Sequence, residues 1–165
     1  MTLTIRPEHP DDVRTIHDVT EAAFRDIEYS DGSEPALVDR LRADGDLMLS
    51  LVAKTDGEIV GHIAFSPVTI SDGSGDWYGL GPVSVLPKNQ GKGIGAALIE
   101  RGIADMRERG AKGIVLLGSD TYYPRFGFEH DPDLRYPGPP PEYFQRLVLS
   151  GIAPSGVVSY APAFG

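Results

Sequence analysis

Apolar and polar residues follow strand-like patterns in seven segments of the 165-residue chain. Alternation over short segments is typical of β-strands with one buried face. The uninterrupted apolar run from Gly113 to Leu117 is typical of a strand that is buried on both faces. Together these patterns predict strands or late apolar segments over residues 2–6, 47–53, 58–70, 76–86, 113–117, 144–149 and 156–160.

Three segments follow the spacing of an amphipathic helix instead. The first begins at Pro10-Asp11-Asp12 and its apolar positions continue to Ile27, and the second runs from Ser33 to Gly45. The third and clearest is predicted over Gln90 to Arg109. Its buried face is expected to contain Gly95, Leu98, Ile99, Gly102, Ile103 and Met106.

Proline and glycine interrupt the strand predicted just before the third helix. Pro82 has no N–H to contribute to a sheet, and Gly79 and Gly81 flank it. This composition predicts a bulge or a strand that splays away from its neighbour. The next strand, Gly113 to Leu117, follows the third helix, so the order strand, helix, strand predicts a crossover between parallel strands.

Composition restricts the class of protein. The chain is long enough for one domain, residues 1–165, and its apolar fraction of 41% is typical of a soluble globular protein. A net charge of −9 argues against nucleic acid and anionic membrane as partners. No apolar run approaches the roughly 20 residues needed to span a bilayer, and the N-terminus lacks a signal-peptide pattern, so we expect a cytoplasmic protein.

The strongest chemical signal is the glycine-rich segment Gln90-Gly91-Lys92-Gly93-Ile94-Gly95, where a strand leads into a helix. Free amides and the positive end of the helix dipole favour an anion here, and glycine lets a pyrophosphate approach the backbone. The glycines could instead serve only a tight turn. Gly91, Gly93 and Ala96 also fit a dinucleotide fingerprint, but the preceding hairpin-linked strands and the absence of an acidic residue after the next strand argue against it.

Two motifs resemble those of the GCN5-related N-acetyltransferase (GNAT) superfamily. Gln90, Gly93 and Gly95 match its Gln/Arg-x-x-Gly-x-Gly/Ala signature, and Tyr122 to Phe128 matches an aromatic-Tyr-x-x-x-Gly-Phe motif. The Leu80-Gly81-Pro82-Val83-Ser84-Val85 stretch further resembles the YhbS-like group of bacterial predicted acetyltransferases. The resemblance implies an α+β, three-layer fold: a mixed, mostly antiparallel central sheet with a splayed strand pair and helices on both faces.

The resemblance also implies roles for individual residues. Tyr123 aligns with the family's tyrosine that faces the cofactor sulfur, and Tyr122 is the neighbour most easily confused with it. The splayed strand is expected to pair with the pantetheine arm of acetyl-CoA, and the glycine-rich turn to bind its pyrophosphate. The expected cofactor-binding residues are Val83, Ser84, Val85, Gln90, Gly91, Lys92, Gly93, Ile94, Gly95, Ala96 and Ser119.

The general base is not determined by the sequence. Glu21, Asp26 and Glu28 lie near the join of the first two helices, which borders the acceptor cleft in relatives, and His62 lies in the central strands. Each is also compatible with a purely structural role. The other histidines show no ligand spacing, so no metal site is expected. Arg125 could reach a cofactor phosphate or a substrate carboxylate, or form a surface ion pair, and Asp120 could cap a short helix from Thr121.

The leading functional hypothesis is an N-acetyltransferase that acetylates a primary amine of a small molecule or peptide. A catalytically silent acyl-CoA-binding sensor and a nicotinamide-dependent enzyme remain alternatives. The acceptor site is expected to depend on the early helices, the Ser71–Gly75 hairpin and the proline-rich loop over residues 131–141. Many relatives dimerise through late strands, which makes residues 156–160 a candidate dimer surface.

Overall fold

The computed structural model describes residues 2–165 as nine strands, three α-helices and several short 3-10 turns. The helices are α1 (Val13–Phe24), α2 (Glu34–Ala43) and α3 (Ile94–Glu108). The strands are β1 (Leu3–Pro7), β2 (Leu49–Thr55), β3 (Glu58–Pro67), β4 (Thr69–Ile70), β5 (Trp77–Val85), β6 (Gly113–Leu117), β7 (Leu134–Arg135), β8 (Phe144–Val148) and β9 (Gly156–Ser159).

Six strands form the main sheet, in the order β1-β2-β3-β5-β6-β8. Every neighbouring pair is antiparallel except β5 and β6, which are parallel and are connected through α3. The predicted mixed and mostly antiparallel sheet is therefore confirmed.

Alternate residues of the central strands point to opposite sides of the sheet, and apolar residues lie on both sides. Helices cover both faces and bury these residues. Leu51 and Ile63 pack with Leu98 of α3 in the larger core cluster. Val52 packs with Ile16 of α1 and Val38 of α2 in a separate cluster. The three-layer arrangement is the predicted one.

The feature that positions the site is a split between β5 and β6. The two strands pair only where Trp77 to Gly79 meets Gly113 to Val115. Beyond Gly79 they diverge, while β5 stays paired with β3 on its other edge as far as Val85. The register of β3 and β5 shifts between Ile63 and Phe65, opposite Gly81 and Pro82, so both the predicted bulge and the predicted splay are present.

A second, three-stranded sheet was not predicted. Its order is β4-β9-β7, and β4 comes from the end of the strand predicted over residues 58–70, which breaks after Pro67. The loop predicted over 131–141 contributes β7 and a 3-10 turn, Pro141–Tyr143. Within the candidate dimer segment over residues 156–160, Val158 and Ser159 pair with β4, and Gly156 and Val157 pair with β7. The dimer surface stays a prediction.

Two predicted helix boundaries need correction. The helix predicted from Gln90 begins at Ile94, because Gly91 and Gly93 adopt positive φ angles of 78° and 81° that an α-helix does not contain. The first helix ends at Phe24 instead of Ile27. In the part of the chain from Thr2 onward, no helix is long and apolar enough to cross a membrane.

Candidate active site

An apolar cleft of about 800 Å³ lies at the split between β5 and β6. Its walls come from the end of α1 and the following loop, the diverging strands, the turn after β6, and the proline-rich loop. The lining residues are Phe24, Tyr29, Leu80, Gly81, Pro82, Val83, Leu116, Leu117, Gly118, Ser119, Tyr122, Tyr123, Pro139 and Tyr143. The cleft thus includes Tyr123, Ser119 and Val83 from the predicted site.

The backbone of β5 supplies one edge of the split. The Leu86 N–H donates to the Val60 carbonyl at 2.8 Å, so the main-chain groups of Leu86 point toward β3. Backbone groups of successive strand residues point to opposite edges. Val83 and Val85 therefore direct their N–H and C=O groups away from β3, toward the split, as predicted for a strand that pairs with an extended ligand.

Ser84 differs from its two neighbours. Its backbone points toward β3, where it is paired with His62, and its side chain is buried with no hydrogen-bond partner for Oγ. The structure therefore brings Val83 and Val85 to the split edge but not Ser84, which was expected among the cofactor-binding residues.

The glycine-rich segment forms an exposed loop that leads into α3. Both Gly91 and Gly93 require a left-handed backbone, and a Cβ atom added at either position would meet nothing within 4 Å. The first helical hydrogen bond joins the Ala97 N–H to the Gly93 carbonyl at 3.0 Å, which leaves the amides of Ile94, Gly95 and Ala96 without helical partners. This arrangement of open space and free donors fits a phosphate or pyrophosphate group.

Gln90 and Lys92 take different positions in this loop. Gln90 donates from Nε2 to the Val85 carbonyl at 3.0 Å, so its side chain links the loop to the end of β5. Lys92 is exposed beside the glycines, where its charge adds to the positive end of α3. Ile94 has a buried side chain and can contribute only its backbone.

The turn after β6 is held by Ser119 and not by Asp120. Ser119 Oγ accepts from the Thr121 N–H at 3.3 Å and from the Tyr122 N–H at 3.1 Å. The buried Gln145 of β8 donates from Nε2 to the carbonyls of Gly118 and Ser119, each at 3.2 Å. The predicted capping role of Asp120 is therefore wrong, and the helix predicted from Thr121 is a single 3-10 turn, Tyr123–Phe126.

Tyr123 is held beside the end of β6 by close aromatic packing. A Cβ atom at Gly118 would lie 2.6 Å from the Tyr123 ring, and the Tyr122 and Tyr123 rings meet edge to face at 5.1 Å. Burial raises the pKa of Tyr123 above its ordinary value, and the nearby Tyr122 and Tyr29 raise it further. The hydroxyl therefore stays protonated at neutral pH, as a hydrogen-bond donor must.

None of the predicted carboxylate bases lines the cleft. Glu21, Asp26 and Glu28 are exposed, and Glu21 pairs with Arg25 at 2.7 Å. Phe24, from the same helix, is the residue that lines the cleft. The helix join does border the cleft, as expected, but its acidic side chains point elsewhere.

His62 is fully buried in the sheet face that packs against α1. Its Nε2 lies 2.7 Å from Ser50 Oγ, and Ser50 donates to the Glu8 carboxylate, which also pairs with Arg42 at 2.9 Å. Because Ser50 uses its proton on Glu8, it accepts from His62, which fixes the proton of the neutral ring on Nε2. Burial lowers the pKa of His62 to about 4, so the ring is neutral at physiological pH.

The structure also places several other residues relative to the cleft. Tyr29, Leu117 and Tyr143 line the cleft but were not singled out, since a lone exposed apolar residue gives no signal in a sequence. The Ser71–Gly75 hairpin does not line it: Ser71 and Asp72 bond instead to the backbone of Val157 and Ser155. Arg125 stacks on Tyr122 at 4.2 Å and donates to the Tyr122 carbonyl at 2.8 Å.

The residues from Thr2 to Gly165 contain no cluster of potential metal ligands. No three histidine, aspartate or glutamate side chains there are grouped so that they could hold a metal ion.

Comparison with known proteins identifies the family that shares this split sheet and glycine-rich loop. The Acetyltransferase (GNAT) family model matches residues 13–128. The uncharacterized N-acetyltransferase YhbS of Escherichia coli K12 is 36% identical, with 98% of each sequence covered. The chain therefore belongs to the GNAT family of acetyltransferases.

Solved structures of two relatives extend this likeness. A GNAT family acetyltransferase from Brucella melitensis, in complex with acetyl-CoA, is 50% identical with a TM-score of 0.89 and covers 99% of both chains. Escherichia coli YhbS in complex with CoA is 36% identical with a TM-score of 0.86, covering 98% of this chain and 91% of that one. The predicted resemblance to the YhbS-like group is thereby confirmed.

Proposed function

We propose that this acetyltransferase uses acetyl-CoA to acetylate a primary amine by direct attack of the amine on the thioester. The observation that carries the proposal is the β5 edge, where the backbone groups of Val83 and Val85 face the split directly before the glycine-rich loop. The acetyl-CoA bound by the Brucella melitensis relative supports the same cofactor here.

In this proposal, main-chain groups hold the donor. Val83 and Val85 would pair with the amides of the pantetheine arm as a neighbouring strand would. The amides from Gly91 to Ala96 would hold the pyrophosphate, with Lys92 adding charge. Gln90 would act indirectly, because its bond to the Val85 carbonyl fixes the loop relative to the strand. When bound, acetyl-CoA supplies an activated acetyl thioester.

Tyr123 is proposed to stabilise the sulfur as it leaves. The amine nitrogen forms a bond to the acetyl carbon, the carbon–sulfur bond breaks, and the sulfur leaves as a thiolate. Full transfer of a proton from an ordinary tyrosine to that thiolate is uphill by roughly 2 kcal/mol. The raised pKa of Tyr123 increases this cost. Tyr123 therefore acts mainly by donating a hydrogen bond, and the proton lost by the amine reaches the sulfur through solvent.

Two measurements test the proposal together. Calorimetry should detect binding of acetyl-CoA and not of NAD, and release of free CoA thiol should depend on an added primary amine. A suitable first panel contains phenethylamine, spermidine and a lysine-containing peptide. Binding of NAD alone, or binding of acetyl-CoA without thiol release for any amine at any pH between 6 and 10, would refute acetyl transfer to amines.

A further inference from the structure

The wall of the cleft carries no charged side chain, although the chain has a net charge of −9. Its fourteen lining residues include no aspartate, glutamate, lysine, arginine or histidine. The polar groups available are tyrosine hydroxyls, the Ser119 hydroxyl and the backbone of the diverging strands.

The charged residues next in sequence to the lining lie outside it, and Asp120 and Glu142, beside Ser119 and Tyr143, are exposed. Arg125 lies over the Tyr122 ring and donates to the Tyr122 carbonyl, and Glu21 is paired with Arg25. A carboxylate on the acceptor would therefore meet no cation in the wall, and a second ammonium would meet no anion in it. A charge held against this wall would give up hydration without gaining a partner in the wall, which is unfavourable.

Apolar side chains are instead exposed in this cleft. Tyr29 is 88% exposed, Leu117 is 44% exposed and Tyr143 is 41% exposed, and all three line it. Phe24 and Pro139 extend the same surface from two other segments. Covering such a surface with an apolar ligand removes its area from water and favours binding.

Resting on the proposed function, we propose that the acceptor is a primary amine attached to an apolar or aromatic body, with no second charge close to the amine. The body lies against Phe24, Tyr29, Leu117 and Tyr143, and the amine reaches toward the split between β5 and β6, beside Tyr123. Because no carboxylate in the wall pairs with an ammonium, the amine binds in its neutral form after giving its proton to solvent.

Matched pairs of amines test this acceptor class. Phenethylamine and phenylalanine differ by one carboxylate, and hexylamine and 1,6-diaminohexane differ by one terminal amine. With saturating acetyl-CoA, we expect kcat/KM for the singly charged member to exceed that of its partner by about tenfold or more in both pairs. Its value should also rise with pH toward the pKa of the free amine.

The Leu117→Glu variant sharpens the test, because it adds one anion to the exposed apolar wall. The ratio of kcat/KM for 1,6-diaminohexane to that for hexylamine should rise about tenfold. Leu3→Glu is the matched control: Leu3 is similarly exposed but lies on β1, at the opposite edge of the main sheet, and should leave the ratio unchanged. Acetyl-CoA affinity, measured for each variant, reports whether the fold and the donor site are intact.

Failure of this inference is distinguishable from failure of the proposed function. Preference of the wild-type enzyme for phenylalanine or for 1,6-diaminohexane overturns the apolar acceptor while leaving amine acetylation in place. Acetylation of spermidine or the peptide, without acetylation of phenethylamine or hexylamine, also overturns the apolar acceptor and leaves amine acetylation in place. If Leu117→Glu does not fold, the wild-type comparison alone decides.

Discussion

The two halves of the proposed site are built from different parts of the chain. The donor half consists of main-chain groups in one continuous segment, from Val83 through the glycine-rich loop to Ala96. The acceptor half consists of side chains from several distant segments, with Phe24, Tyr29, Leu117, Pro139 and Tyr143 as its wall. A backbone site is specified by local conformation, whereas a side-chain wall exists only after the chain has folded.

This difference explains why one half was predictable from sequence. Pro82 and the glycines constrain the backbone wherever they occur, so the bulge, the split and the loop could be anticipated near their true positions. Tyr29 and Leu117 carry no such local constraint, and only the tertiary structure brings them together. The second sheet was missed for the same reason, since the two-residue strands β4 and β7 are defined by their pairing with β9.

The largest expected effect concerns Tyr123, which lies where the two halves meet. Tyr123→Phe removes the hydroxyl and should lower kcat by about 10²–10³-fold, as loss of one well-placed transition-state donor does. The affinity for acetyl-CoA should change little, because main-chain groups bind it. Steady-state kinetics and calorimetry measure the two quantities.

Tyr122→Phe is the matched control for that variant. The neighbouring ring packs edge to face on Tyr123, and its loss of a hydroxyl should change kcat by less than about threefold. Equal losses of kcat in the two variants would contradict a specific role for Tyr123.

A second prediction concerns His62, which is buried in the main sheet and does not line the cleft. The unfolded chain binds a proton at this ring below about pH 6.5, whereas the folded chain does so only near pH 4. The buried, neutral His62 ring therefore makes its full contribution to the stability of the fold above pH 6.5. That contribution should be lost as the pH falls from 6.5 toward 4. The loss is on the order of 3 kcal/mol, measurable as a fall in the free energy of unfolding.

His62→Gln separates this structural role from a catalytic one. The variant should lose much of the dependence of stability on pH between 4 and 6.5, while the pH profile of kcat/KM keeps its shape. A changed pH profile of kcat/KM in a variant that still folds would mean that His62 takes part in the reaction. The acceptor half would then extend beyond the residues that line the cleft.

A third prediction tests the donor half through its glycines. Gly91→Ala and Gly93→Ala place a methyl group in the open space above the loop, and each should weaken acetyl-CoA binding by about tenfold, measured by calorimetry. Gly57→Ala is a control with matched strain, because Gly57 has a φ of 79° in the β2–β3 turn and also has open space around it.

All three glycine variants should lose about 1 kcal/mol of stability from the strained backbone. Only the two in the loop should lose affinity. An equal loss of affinity in Gly57→Ala would mean that backbone strain, and not the loop itself, weakens binding.

The smallest expected effect is at Ser119, which holds the turn that carries Tyr123. Ser119→Ala removes the acceptor for two backbone N–H groups and should cost about 1 kcal/mol in a urea unfolding experiment. Asp120→Ala should cost measurably less, because the Asp120 side chain caps nothing in this turn. The opposite order would restore the capping role first expected for Asp120.

The split between β5 and β6 also has a consequence for handling the protein. An interior strand whose edge is unpaired beyond Gly79 presents hydrogen-bonding groups that another extended chain can use, which is a known route to aggregation. A ligand that pairs with this edge would protect it. Preparations supplemented with CoA should therefore scatter less light on heating than matched preparations without it, and the cofactor would act as a solubilising agent during purification.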